Sequence, residues 1–331
     1  MAKLDKIKLG HTGLYISRIG LGTWSMGGGP AWGGDKDREE CIRTIQKAPE
    51  LGINLIDTAP AYNFGTSEGI VGEAVKNMER GEVIITTKCG IVWNRKGSLF
   101  NKVGDRQLYK NLSKESIMAE IEESLDRLDM DYVDIYMTHW QSVEPFFTPV
   151  AETMEALNEL KSKGKIKAIG ASNISVEQIR EYLKYGDLDI VQGKYSVLDR
   201  GVEQSLFPIC KQYGITMQAY SPLEQGLLSG RLPRDYVPVG ARSNKKWFQP
   251  QKMMKAMDMM DAWEVLCRKY DCTVPMLALA WILAQGDFVS ILNGAHTVRQ
   301  LEENARAMQI CLSKEDADIM RTMAENADRE A

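Results

Sequence analysis

Short runs of apolar and β-branched residues alternate with amphipathic stretches along the whole chain. After an N-terminal hairpin, KIKL and LYIS on either side of a turn at His11-Thr12-Gly13, eight strand-like runs follow in order. They read RIGLGTW, NLIDTA, VIITTK, YVDIYMTH, IKAIGAS, DIVQGKYS, ITMQAYS and VSILNGA. Between and after them, the pattern predicts helices over residues 36–51, 67–75, 113–128, 150–163, 176–185 and 204–213, a long pair over 253–285, and closing helices over 298–308 and 314–325. Ser113 with Ser116, Ser175 with Gln178 and Ser313 with Asp316 have the spacing of helix caps and first turns. Gly52, Gly164 and Gly214 stand where helices should stop and turn into strands.

Eight strands, each followed by helical sequence, imply a parallel sheet closed by crossover helices. The expected fold class is therefore α/β: a single-domain (β/α)8 TIM barrel over residues 1–331, with an N-terminal β-hairpin and long βα loops. An open doubly wound sheet is the alternative. It would carry GxGxxG in its first strand-to-helix turn, whereas GLGTWSMGGG lacks that spacing and runs on into a long loop. The loops over 89–112 and 223–251 are long enough to be lids or binding loops. No linker or composition break divides the chain.

Composition narrows the function classes. A net charge of −4 argues against a nucleic-acid or anionic-membrane partner. Cys41, Cys89, Cys210, Cys267, Cys272 and Cys311 show no paired spacing and no Cys/His cluster, as expected of reduced thiols in a cytoplasmic protein. Cys89 adjoins Lys88 but has no histidine near it in sequence to activate it, so it reads as filler. The opening MAKLDKIKLG is too polar for a signal peptide, and VPMLALAWILA is too short to span a bilayer.

Candidate chemistry gathers at three successive strand ends, where Asp57, Tyr62, Lys88 and His139 fall. Singly, each has a plain explanation: a cap, a loop tyrosine, a strand-end lysine, a core histidine. Together they form a proton-delivery device. A buried lysine needs a partner to stay charged, and Asp57 lies at the neighbouring strand end. A phenol titrates near ~10 and is a poor acid at neutral pH, and a nearby ammonium is expected to lower that value.

The segments GLGTW, NLIDTAPAYNFGTSE, TTKCG, YVDIYMTHW, GKIKAIGASN, YSPLEQGLLSG and GAHTVRQLEEN strongly resemble the aldo-keto reductases, in that family's order and over nearly the whole chain. The resemblance implies Tyr62 as general acid, Lys88 tuning it, Asp57 holding Lys88, and His139 orienting a substrate carbonyl. It implies no metal, because the tyrosine supplies the electrophile. The implied activity is hydride transfer from NADH or NADPH to a small aldehyde or ketone, such as a methylglyoxal-like 2-oxoaldehyde or a sugar-derived carbonyl.

By the same resemblance, Ser172, Asn173 and Gln192 would bind the nicotinamide amide, with Tyr220 stacked on the ring. Gly22, Thr23 and Trp24 would open the cofactor groove, and Ser221, Pro222, Leu223, Gly226 and Leu228 would line the pyrophosphate. Glu303 and Asn304 match adenine contacts. NADPH-preferring relatives place Lys or Arg near Gly294, His296 and Gln300, so their absence here implies NADH, unless Arg299, Arg231, Arg234, Arg242, Lys245 or Lys246 reaches the 2′-phosphate.

Trp24, Trp93 and Trp140, close after strand ends, are expected above the nicotinamide. Arg95, Lys96, Lys102, Arg106 and Lys110 make the 89–112 loop basic, a solvated lid that would favour polar or anionic substrates. Two other readings stay open: a Schiff-base aldolase or lyase through Lys88, and a cofactor-sensing regulatory subunit. The expected partner is a small carbonyl compound. The oligomeric state is left open.

Overall fold

The computed structural model describes residues 6–329. The first five residues, including half of the polar opening, and the last two of the expected 1–331 unit lie outside the described residues. The strands are β1 (Lys6–Lys8), β2 (Tyr15–Ser17), β3 (Ile19–Gly22), β4 (Leu55–Asp57), β5 (Ile84–Cys89), β6 (Ile91–Val92), β7 (Ser98–Val103), β8 (Arg106–Lys110), β9 (Val133–Thr138), β10 (Ile166–Ser172), β11 (Ile190–Lys194), β12 (Thr216–Tyr220) and β13 (Val289–Gly294). Eight of them close a parallel barrel in the order β3-β4-β5-β9-β10-β11-β12-β13, with β13 pairing back onto β3. The expected (β/α)8 barrel is thus the observed one, and the open sheet is excluded.

Side-chain alternation along these strands decides what the barrel contains. Leu55, Ile84, Ile135, Met137, Ala168 and Ile190 point inward and form a separate inner cluster, into which Leu9 and Ile16 of the β1–β2 hairpin pack. The hairpin therefore plugs the end where the strands begin. Asp189, fully buried, fixes it there by accepting from the amides of His11 at 3.2 Å and Ile169 at 3.0 Å. Gly10 (φ +46°) passes so close that a Cβ would lie 2.4 Å from the Asp189 carbonyl oxygen. With one end plugged, the opposite mouth is left for function, as in other barrels of this type.

Helices follow the expected pattern. In Lys114–Leu128 the buried residues Ile117, Ile121, Leu125 and Leu128 recur at three- and four-residue steps, one apolar stripe against the sheet. Ser113 caps it, Ser175 and Gln178 form a reciprocal capping box, and the Ser313 hydroxyl accepts from the Asp316 amide. Gly52, Gly164 and Gly214 take φ of 77°, 73° and 62°, the left-handed stop expected of them. The predicted pair over 253–285 is instead three helices: Pro250–Ala262, Glu264–Lys269 and Val274–Leu283. Pro275 lacks an amide proton and is tolerated only in a first turn, so a new helix starts there. Among the described residues, no helix is long and apolar enough to cross a membrane.

The 89–112 loop also departs from expectation. It is a three-stranded antiparallel sheet, ordered β6-β8-β7, standing at the barrel mouth. Its cations are largely engaged: Arg95 pairs with Glu123, Arg106 lies 4.8 Å from the Phe64 ring, and Lys110 lies 5.0 Å from the Trp140 ring. Lys102 lines the cleft described next.

Candidate active site

Asp57 ends β4 and pairs in register with Thr86 of β5. Lys88 is two residues beyond Thr86, so it faces the barrel interior on the same side as Asp57. Its ammonium has three donors and finds three acceptors: Asp57 Oδ1 at 2.5 Å, the Thr58 carbonyl at 2.9 Å and the Tyr62 hydroxyl at 3.0 Å. Tyr62 is returned to this point by a turn whose next residues, Asn63, Phe64 and Gly65, all have positive φ. Two of those are not glycine, a conformation costing roughly 1–2 kcal/mol each. The Asn63 side chain supports the turn by donating to the Gly27 carbonyl at 2.7 Å. His139, just past β9, is held by its amide to the Cys89 carbonyl at 2.9 Å, with its ring 5.6 Å from that of Tyr62 and nearly perpendicular to it.

Burial opposes the Lys88 charge, but Asp57 and Tyr62 together hold its pKa above the usual lysine value. The expected lowering at Tyr62 is not found. Burial lifts the phenol above its ordinary value, and the Lys88 ammonium recovers only part of that rise, with Asp57 adding to it. The low-dielectric floor penalises a phenolate more than one nearby cation stabilises it. At neutral pH the hydroxyl therefore keeps its proton. His139 is held well below the usual imidazole range by burial and by Lys88, so it is neutral, and its Nδ1 has no protein partner. The result is a loaded neutral acid beside a neutral imidazole.

Asp57, Tyr62 and His139, with Lys88 buried beneath them, form the floor of a cleft of about 1070 Å³ at the barrel mouth. Trp24 and Trp140 form part of its aromatic wall, with Trp32 and Phe100 beside them. Gly22, Ser172, Asn173, Gln192 and Tyr220 line the adjoining wall. Tyr220 donates to Asn173 Oδ1 at 2.8 Å, and Asn173 donates to the His139 carbonyl at 2.9 Å. Gln192 donates to Asp57 Oδ2 and to Gln218 Oε1, both at 2.6 Å, so it also orients the carboxylate beneath Lys88. Ser221, Pro222, Leu223 and Gly226 continue outward, and Gly294, His296, Gln300, Glu303 and Asn304 complete the far end.

Three expected residues lie elsewhere. Thr23 has the opposite parity to inward-facing Gly22, and its hydroxyl is buried against Ser67 Oγ at 2.6 Å and the Asp57 carbonyl at 2.9 Å. Leu228 is fully buried in the outer core. Trp93 stands behind Phe64, edge-on at 5.4 Å, and Phe64 rather than Trp93 meets the cleft. Lys194, Gln225 and Asn293 line the cleft and were missed. Asn293 had a signal, a polar side chain inside the apolar run VSILNGA.

Asn293 and Gln225 also test the fit of a cofactor. Asn293 Nδ2 and Gln225 Oε1 are buried without a protein partner, one a donor and one an acceptor. They share the wall formed by the 221–226 loop and the start of helix Val298–Arg306, and a helix N-terminus favours an anion. Phosphates, ribose hydroxyls and an amide, the polar parts of a nicotinamide dinucleotide, suit that wall.

A model of the aldo/keto reductase family matches residues 18–325. Over 326 residues, 98% of this chain and 100% of the other, the sequence is 63% identical to the NADH-specific methylglyoxal reductase of Escherichia coli. It is 37% identical to the aldo-keto reductase YhdN of Bacillus subtilis, over 98% of this chain and 94% of that one. Among solved structures, a glycerol dehydrogenase from Gluconobacter oxydans superposes with a TM-score of 0.87 at 32% identity, covering 99% of this chain and 97% of that one. An aldo-keto reductase from Klebsiella pneumoniae in complex with NADPH gives 0.72 at 27% identity, over 96% and 95%.

Proposed function

We propose that this chain, which belongs to the aldo/keto reductase family, is an NADH-preferring cytoplasmic reductase of small 2-oxoaldehydes, methylglyoxal foremost. The observation that carries the reading is the unbroken Asp57–Lys88–Tyr62 chain ending in a protonated hydroxyl on the cleft floor. Its substrate class follows the 63% identical relative. The aromatic wall suits a small planar carbonyl compound. Six free thiols support the cytoplasmic part.

A reduced nicotinamide dinucleotide, when bound, supplies the hydride. Ser172, Asn173, Gln192 and Tyr220 would hold its nicotinamide end, and the 221–226 loop with Asn293 its pyrophosphate. This chain's own work is to place and protonate the carbonyl. Tyr62 hydrogen-bonds the carbonyl oxygen and gives up its proton as negative charge builds there. Lys88, fixed by Asp57, stabilises the phenolate left behind, and neutral His139 offers a second polar contact that fixes carbonyl orientation. A Schiff-base role for Lys88 fits poorly, since its amine is protonated and spends all three donors on Asp57, Thr58 and Tyr62.

The preference for NADH is supported by where the cations go. Arg231 pairs with Glu303, Arg234 with Asp258 and Asp261, and Lys246 with Asp328, while Arg242 bonds the Gln225 carbonyl and the Tyr236 hydroxyl. Burial and Lys36 keep His296 neutral, and Gln300 is occupied by the His296 amide at 3.0 Å. At the cleft wall a 2′-phosphate would meet Lys245 and Lys36, which bonds the Trp32 carbonyl at 3.1 Å, while the other cations named are spent on protein partners. In a panel of carbonyl substrates run with both cofactors, kcat/KM is expected to be highest for methylglyoxal and about tenfold or more better with NADH. An advantage for NADPH would sink the cofactor half of the reading.

The pH dependence follows from the same site. Reduction consumes the phenol proton, so protonated Tyr62 is the active form. With its pKa raised, kcat/KM should stay level from about pH 6 to about pH 9 and fall only above about 10. Alcohol oxidation, which needs the phenolate, should rise over the same alkaline range. His139 adds no step at its ordinary pKa. A pH–rate profile with a clear inflection between about 6 and 8 would contradict this assignment.

A further inference from the structure

The loop that follows β12 is held in an unusual shape. Ser221, Glu224, Gln225 and Gly226 have φ of 54°, 46°, 52° and 97°. Two successive non-glycine residues in the left-handed region persist only when their surroundings fix them. Bonds within the loop, from the Glu224 amide to Ser221 and from the Gly226 amide to Leu223, both 2.9 Å, close its turns but do not tie it to the barrel. Arg242 Nε donates to the Gln225 carbonyl at 2.9 Å from the loop beyond, and the tie to the barrel comes from the Glu224 side chain, which is 4% exposed and turned away from the cleft that its neighbours Leu223 and Gln225 line.

One carboxylate oxygen of Glu224 lies 2.9 Å from Lys194 Nζ, and the other accepts from Ser196 Oγ at 2.6 Å. Both partners belong to the exit of β11, the neighbouring strand. That exit is itself braced: Lys194 reaches Asp199 at 2.9 Å, and Ser196 Oγ accepts from the amides of Leu198 and Asp199. Trp247 Nε1 donates to the Leu198 carbonyl from the far side. A left-handed position favours Gly or Asn. A glutamate there is intelligible through what its side chain holds.

We propose that Glu224 and Lys194 are positioning residues forming a latch that fixes the 221–226 loop in its dinucleotide-binding shape, and thereby set cofactor affinity without touching the reacting atoms. The proposal rests on the cleft being a nicotinamide dinucleotide site. Preorganisation of this kind acts through the cost of ordering a loop on binding. Its signature is a change in Kd and cofactor KM, with kcat little affected.

The test measures NADH dissociation constants by quenching of tryptophan fluorescence, thermal midpoints and steady-state kinetics for the parent, Glu224→Ala, Glu224→Gln, Lys194→Gln and the Glu224→Ala/Lys194→Gln pair. Glu224→Ala should weaken NADH binding about tenfold and raise cofactor KM in proportion, with kcat within about threefold. Glu224→Gln keeps one carbonyl acceptor, enough for Lys194 or Ser196 but not both, and should fall between the parent and Glu224→Ala in Kd. Lys194→Gln should weaken binding in the parent background and add clearly less than that to Glu224→Ala, since the Glu224–Lys194 contact is common to both.

An unchanged Kd in Glu224→Ala, a loss confined to kcat, or additive effects of the two substitutions would each overturn the latch. If Glu224→Ala does not fold, an unchanged Kd in Lys194→Gln would overturn it equally. A parent that binds neither NADH nor NADPH would refute the cofactor reading itself. A parent that binds, with Glu224→Ala binding equally well, would refute only the latch.

Discussion

Tyr62→Phe is expected to lower kcat for carbonyl reduction by about three orders of magnitude while leaving NADH affinity within about twofold. The substitution removes a single oxygen. The ring stays 6.2 Å from Trp24 and 5.6 Å from His139, so the wall it builds survives. Lys88 keeps Asp57 and the Thr58 carbonyl, so the ion pair below is not stranded. What disappears is the proton donor on the cleft floor. Water is left to supply that proton, less well placed, because neutral His139 is a far weaker acid than the lost phenol. The alkaline limb of the pH profile should vanish with the hydroxyl. Single-turnover kinetics at saturating NADH decide the matter. If kcat falls less than about tenfold, another group is the acid.

Lys88→Met should damage both stability and turnover. Asp57 is fully buried, and without the ammonium its charge is left with Gln192 as its one remaining side-chain donor. Breaking a buried pair from one side costs about 3–5 kcal/mol. Turnover should drop by about a hundredfold or more, since the phenolate formed on Tyr62 loses its counter-charge. Asp57→Asn combined with Lys88→Met removes the stranded anion, so much of the stability should return while turnover stays low. Chemical denaturation and kcat on the three proteins separate the two effects. If the double variant regains activity along with stability, Lys88 serves the fold rather than the reaction.

The strand order, the barrel and the placing of Asp57, Lys88 and His139 at one mouth were legible in the sequence, because they depend on local hydrophobic pattern and two-residue alternation. The same parity argument, carried one step further, separates Gly22, which faces the cleft, from Thr23, which faces Ser67. Helix starts at Ser113 and Ser175 were legible too, since a cap is decided within four residues. So were the left-handed stops at Gly52, Gly164 and Gly214, which depend on a missing Cβ.

Tertiary structure alone decided the remainder. The sign of the Tyr62 shift is a contest between burial and one cation, and burial depends on every wall of the cleft. Trp93 was displaced by Phe64 because the 89–112 segment folds as a sheet whose packing is set by distant partners. Asn293 points outward from the barrel yet borders the cleft, because the cleft extends past the strands toward the helices. The Glu224–Lys194 contact joins residues thirty positions apart on neighbouring strand exits. Periodicity fixes which side of an element a residue occupies, whereas loop conformation and local dielectric arise only from the assembled neighbours.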